Sequence, residues 1–201
     1  VPNVRISGLL RPGENLLVIR VQGSGGICLP PLLCEPSAEL AAWDSRTELV
    51  ALPFQWLLRP DPEDKGEQLG WHQPDVDPTG WQPVPVPARW EDTFLGPYDG
   101  VAWYRVKFTI PGSAEGQKLV LHFGAVDEEA WVYLNGELVG EHTETSTGRS
   151  VHQIWDEPFD IELSNARCGG ENTLAVKVRD SMLAGGIYQP VRLYLIPVLS
   201  R

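Results

Sequence analysis

The sequence predicts an all-β fold, an antiparallel β-sandwich of the jelly-roll kind, on three observations. From about residue 100 onward, short apolar runs alternate with a period of two, and turn signals separate one run from the next. No segment of useful length carries a helical 3.6 period. Eight Trp, 18 Pro and 20 Gly beside a single Met among 201 residues fit a domain rich in strands and turns.

The runs justify the strands one by one. In "WYRVKFTI" (103–110), Tyr104, Val106, Phe108 and Ile110 point one way, and Trp103, Arg105, Lys107 and Thr109 the other. "KLVLHF" sets Leu119, Leu121 and Phe123 against Val120 and His122. "AWVYLNGELVG" (130–140) is a hairpin, because Asn135-Gly136 supplies the positive φ angles of a type I′ turn between apolar arms. "PFDIEL", "NTLAVKV" and "VRLYLI" complete the series. Residues 57–100 read differently, being dense in Pro, Gly and acids while Trp71, Trp81 and Trp90 recur. Such an irregular stretch is expected to wrap on the sandwich with its Trp side chains as anchors. "DVDPTGW" reads as an aspartate-initiated turn with Trp81 pinned beneath it; Asp75 and Asp77 fall short of the roughly six to eight oxygens that Ca²⁺ takes.

An internal repeat marks a boundary. "RPGENLLVIRVQGSGGICLPPLL" (11–33) parallels "RCGGENTLAVKVRDSMLAGGIYQPVRL" (167–193). Asn15 aligns with Asn172, Leu17, Ile19 and Val21 with Leu174, Val176 and Val178, and Gly25-Gly26-Ile27 with Gly185-Gly186-Ile187. Residues 1–42 are therefore expected to be the last strands of a preceding similar domain, or an N-terminal extension, and 43–201 the main domain. The whole reads as a piece cut from something longer, with any export signal removed or never present.

A net charge of −11 and a pI of about 4.8 argue against nucleic acid and anionic membrane surfaces as partners. No apolar run approaches the ~20 residues that cross a bilayer. Cys28 and Cys34 are close enough to pair across a turn, Cys168 is left over, and the redox compartment stays open.

Nucleophile elbow, P-loop, dinucleotide fingerprint and metalloprotease helix are all missing from the sequence. Carboxylates are plentiful at Asp127, Glu128 and Glu129, and at Asp156 and Glu157. Adjacent loop acids diverge, whereas glycoside cleavage needs two carboxyls facing across ~5–9.5 Å, so these read as solvated charge. Asp180 differs. It shares the parity of Leu174, Val176 and Val178, which aims a carboxylate at the end of the core, where it must be hydrogen-bonded, paired or bound to a ligand. In the first copy of the repeat Gly23 takes its place and three loop residues are missing. A turn cap and a ligand contact both remain open for it.

Together "GWHQPDVDPTGWQPVPVPARWED", "DGVAWYRVKFTIP", "LHFGAVDEEAWVYLNGELVGEH", "PFDIELS", "GENTLAVKV" and "GGIYQPVRLYLI" resemble the sugar-binding jelly-roll domain of the family-two glycoside hydrolases, of β-galactosidase and β-glucuronidase type. That fold is also called galactose-binding-like, and the resemblance spans about residues 52–197. It implies that the catalytic glutamates belong to a separate barrel and that this chain alone is not an enzyme. The resemblance further implies a carbohydrate-associated module of a larger secreted or periplasmic glycan-degrading protein, or else a buttress that lends residues to the barrel and binds no sugar unaided. Its expected partners are a carbohydrate and the flanking domains. No cofactor is expected, and a structural Ca²⁺ in a loop is left open. Asp180 has the spacing of a family aspartate that reaches the barrel's pocket, and Arg89 stands where the family has an Asn contact. Tyr188 joins Asp180 in the last loop, with Trp71, Trp90, Tyr98 and Trp155 as expected stacking platforms.

Overall fold

A computed structural model describes residues 46–196. Its strands, in chain order, are β1 (Thr47–Val50), β2 (Gln55–Pro60), β3 (Gln82–Pro85), β4 (Gly100–Ile110) and β5 (Lys118–Phe123). β6 (Glu129–Leu134), β7 (Glu137–His142), β8 (Phe159–Glu162), β9 (Gly170–Asp180) and β10 (Val191–Ile196) follow. They make two antiparallel sheets, ordered β1-β10-β5-β8 and β3-β2-β4-β9-β6-β7, which gives the expected β-sandwich.

The alternation in sequence becomes the division between two cores. Tyr104, Val106, Phe108 and Ile110 of β4 meet Leu119, Leu121 and Phe123 of β5 and Leu174, Val176 and Val178 of β9 between the sheets. Each such side chain contributes about 1.5–3 kcal/mol when fully buried. On the outer face of the larger sheet, Trp103, Ala175 and Tyr133 form a second cluster with Trp71 and Trp81. The Asn135-Gly136 turn joins β6 to β7 with φ angles of 52° and 90°, as the primed turn requires.

Residues 61–81 do wrap on the sandwich, and Asp61 explains how they are held. One of its oxygens accepts from the Lys65 N–H at 2.9 Å. The other accepts from the Gly66 N–H at 2.7 Å and the Trp103 indole N–H at 3.0 Å. Arg105 lies over the Trp81 ring and donates to the carbonyls of Trp71 and Pro74. The Asp77 turn also forms, its carboxylate taking both the backbone N–H and the hydroxyl of Thr79.

One expectation needs correcting. Residues 57–100 contain most of β2 and all of β3, paired from Gln55↔Pro85 to Leu58↔Gln82. Proline masks them in the sequence, yet β3 is an edge strand, where a residue without an N–H is tolerated. Segment 1–42, the first copy of the repeat, and Cys28 and Cys34 lie outside the described residues.

Candidate functional site

Three loops meet where β9 ends, and the Gly185-Gly186-Ile187 turn fastens them. Trp90 donates its backbone N–H to the Gly185 carbonyl at 2.9 Å, and Ala88 donates to Ile187 at 2.9 Å. From the β5–β6 connection, Asp127 donates its N–H to the Gly186 carbonyl at 2.9 Å. A Cβ on Gly185 would come within 2.2 Å of the Trp90 ring, and Gly186 has a φ of +110°. The Trp90 indole N–H donates to the Tyr104 hydroxyl oxygen at 2.8 Å, so the fastening is anchored in the core. Both glycines of the repeat are therefore structural.

The fastening gathers carboxylates that the chain keeps far apart. Asp180 is 1% exposed; one oxygen accepts from the Met182 N–H at 3.4 Å, and the other is buried with no hydrogen-bond partner. Glu128, at a positive φ of 60°, accepts from the Ser181 N–H and hydroxyl at 2.8 and 2.9 Å. Asp127 is buried beside it, and both carboxylate oxygens of Glu91 are buried without a partner. Burial first, and the charge of Glu128 second, push the Asp127 and Asp180 carboxyls up to about 7.

A cavity of about 290 Å³ opens above this group, lined by Arg89, Asp127, Glu128, Trp155, Met182 and Leu183 among others. The Arg89 guanidinium lies 5.2 Å from the centre of the Tyr188 ring, and Tyr188 stacks on Trp155 at 6.3 Å and 20°. The Tyr188 hydroxyl donates to the Trp155 carbonyl at 3.0 Å; burial and the nearby Asp127 push this phenol up to about 12. A cation, two ring faces and several carboxylates thus converge on one end of the sandwich. Such a set can orient a polyhydroxylated ligand. A larger cleft of about 650 Å³, lined by Trp56, Trp81 and four prolines, lacks that convergence. Its Arg105 donates to backbone carbonyls and its Lys107 pairs with Glu171 at 2.9 Å.

The expected site residues sort themselves by burial. Arg89 and Trp155 line the cavity and Tyr188 stands against both. Asp180 is set behind the lining, directed at the end of the core as its parity foretold. Trp90 and Trp71, at 0% and 8% exposure, present no ring face to a sugar, which corrects their reading as platforms. Trp90 is the post on which the glycines pack, and Trp71 belongs to the outer-face cluster. Tyr98 is half-buried, edge-on to Trp90 at 5.4 Å, with its hydroxyl donated to the Val101 carbonyl. The reading of Asp127 and Glu128 as solvated charge is also overturned, since they are 8% and 4% exposed. The apolar flanks of "GAVDEEAW" were the available signal. Among the described residues, no three His, Cys, Asp or Glu are placed to hold a metal ion.

Comparison with known proteins agrees with this architecture. A family profile described as the β-galactosidase second all-β domain matches residues 66–183. A β-glucuronidase of Paenibacillus borealis is 32% identical over 99 residues, covering 47% of this chain and 16% of that protein. A β-galactosidase of Thermoanaerobacter pseudethanolicus is 34% identical over 115 residues, covering 49% and 14% respectively. The chain therefore spans a small part of the length of these relatives. The crystal structure of Ruminococcus gnavus β-glucuronidase superposes with a TM-score of 0.65 over 76% of this chain and 29% of that one; at 21% identity this likeness speaks for the fold alone.

Proposed function

The chain belongs to the family of the second all-β domain of β-galactosidases, and on that premise we propose that it is a non-catalytic, carbohydrate-associated module of a larger glycan-degrading protein. Its sugar-facing end is the cavity between Arg89, Asp127 and Trp155. The observation that carries this reading is the unpartnered, buried oxygen of Asp180. A buried acceptor without a donor costs about 1–3 kcal/mol, and a ligand hydroxyl is the kind of group that offsets it. Trp155 and Tyr188 supply apolar ring surface beside it, and Arg89 and Asp127 supply the orienting polar contacts. Reaching Asp180 requires the 181–184 rim to move and the two Ser181–Glu128 hydrogen bonds to break, while Met182 and Leu183 there, at 44% and 85% exposure, add little packing against the movement. The same proposal takes residues 43–201 as the galactose-binding-like jelly roll, 1–42 as part of a preceding element, and the parent protein as extracellular or periplasmic.

The concealment of Asp180 favours a second reading, in which the domain acts as a buttress and offers this acid to a neighbouring catalytic domain. Affinity electrophoresis of the chain through gels containing plant, algal and host polysaccharides separates the two. Retardation by at least one glycan, reduced by Trp155→Ala, is expected of the binding module. Unretarded migration in every gel, with loss of hydrolysis when Asp180→Ala is made in the full-length parent, would leave the buttress.

A further inference from the structure

The groups around the cavity are lopsided in sign. Asp127 and Glu128 line it, both buried. Asp180 stands behind them with one oxygen unpartnered, and both oxygens of Glu91 are buried without a partner as well. Glu91 and Asp156 lie within electrostatic reach of Asp127, and Asp99 within reach of Asp180. Against these acids the lining sets His152 and Arg89, whose guanidinium lies over the Tyr188 ring.

This end of the fold therefore holds acceptors in excess of donors. A ligand carrying donors and positive charge matches it, whereas a ligand carrying a carboxylate adds one more anion to a desolvated, acid-rich site. A metal ion is a poor match, because no three potential ligands among the described residues are placed around one point. An ammonium group makes separate hydrogen bonds and tolerates the wider spread. Building on the carbohydrate reading above, we infer that the site selects its sugar by charge. It takes an amino sugar, whose protonated amine donates to the Asp127–Asp180 group, in preference to a neutral hexose, and it refuses a uronate. This selection runs against the glucuronide that the names of several relatives suggest.

The test titrates the 201-residue chain with the methyl β-glycosides of glucosamine, glucose and glucuronic acid at low salt and pH 7.5, where the Asp127 and Asp180 carboxyls, raised to about 7, are mostly ionised, followed by amide NMR shifts. The glucosaminide should bind about tenfold more tightly than the glucoside, as one added short-range charge contact in a partly solvated site implies. The glucuronide should give no saturable shift. Raising NaCl to 0.5 M should shrink the amine's advantage several-fold, a measurement that needs no variant. Asp127→Asn should bring the amine-to-neutral ratio close to one. Equal or weaker binding of the amine, or saturable binding of the glucuronide, overturns charge selection and leaves the carbohydrate reading standing. Failure of all three, together with the polysaccharide panel, overturns the carbohydrate reading and this inference with it.

Discussion

Replacing Asp180 by asparagine should stabilise the fold above neutral pH and leave it nearly unchanged in acid. The carboxyl is raised from an ordinary 3.8 to about 7, by burial first and then by the charges of Glu128, Asp127 and Asp99. A carboxyl raised in the folded state favours folding while protonated. Its contribution is full below the unfolded value near 4 and is lost as the pH rises through 7. At about 1.4 kcal/mol per pH unit the full effect is roughly 4 kcal/mol, and the adjacent cavity's water reduces it to about 2–3 kcal/mol. Asparagine keeps the volume and the acceptor for the Met182 N–H, and its amide can donate toward Glu128. Urea denaturation of both forms at pH 4.5 and 8, an interval that spans about three-quarters of the full effect, should show the variant's advantage widening by about 1.5–2 kcal/mol between the two. Parallel stability profiles would mean that Asp180 is not a strained buried acid, and the case for a ligand there would lose its footing. The same variant should bind any sugar less well, a gain of stability at the cost of function that a mere turn cap would not show.

Three other outcomes follow from the packing. Gly185→Ala drives a Cβ to 2.2 Å from the Trp90 ring and should cost about 1–3 kcal/mol or more, read as a lower urea midpoint. Tyr104→Phe leaves the Trp90 indole N–H without its acceptor in the core and should cost about 1–3 kcal/mol, read by thermal melting at constant pH. Asp61→Ala frees the N–H groups of Lys65, Gly66 and Trp103; it should lower stability by a few kcal/mol and raise hydrogen exchange at 62–71, with the cavity at Arg89 unaffected.

Much of the fold was legible because a strand writes its burial into sequence with a period of two. β4, β5, the β6–β7 hairpin and the core face of β9 could be read residue by residue, and so could the aim of Asp180. β2 and β3 could not, because their prolines signal loops and only the pairing shows that these fall at the end of β2 and on the edge strand β3. Of the candidate site, Arg89, Tyr188 and Trp155 were legible as chemistry on loops. Asp127 and Glu128 were not, since two adjacent acids look solvated until a neighbouring loop closes over them.

Local pattern thus determined which residues make strands, which side of each strand is apolar, and that the Gly-Gly-Ile turn belongs to the scaffold. Tertiary structure decided which Trp rings are buried and which carboxylates share one end of the sandwich. The reason is physical: alternation is a property of a single strand, whereas the burial of a loop side chain and the raised carboxyls of Asp127 and Asp180 arise from groups far apart in the chain, such as Glu128 and Ser181 at 53 residues' separation. Only folding brings such groups together.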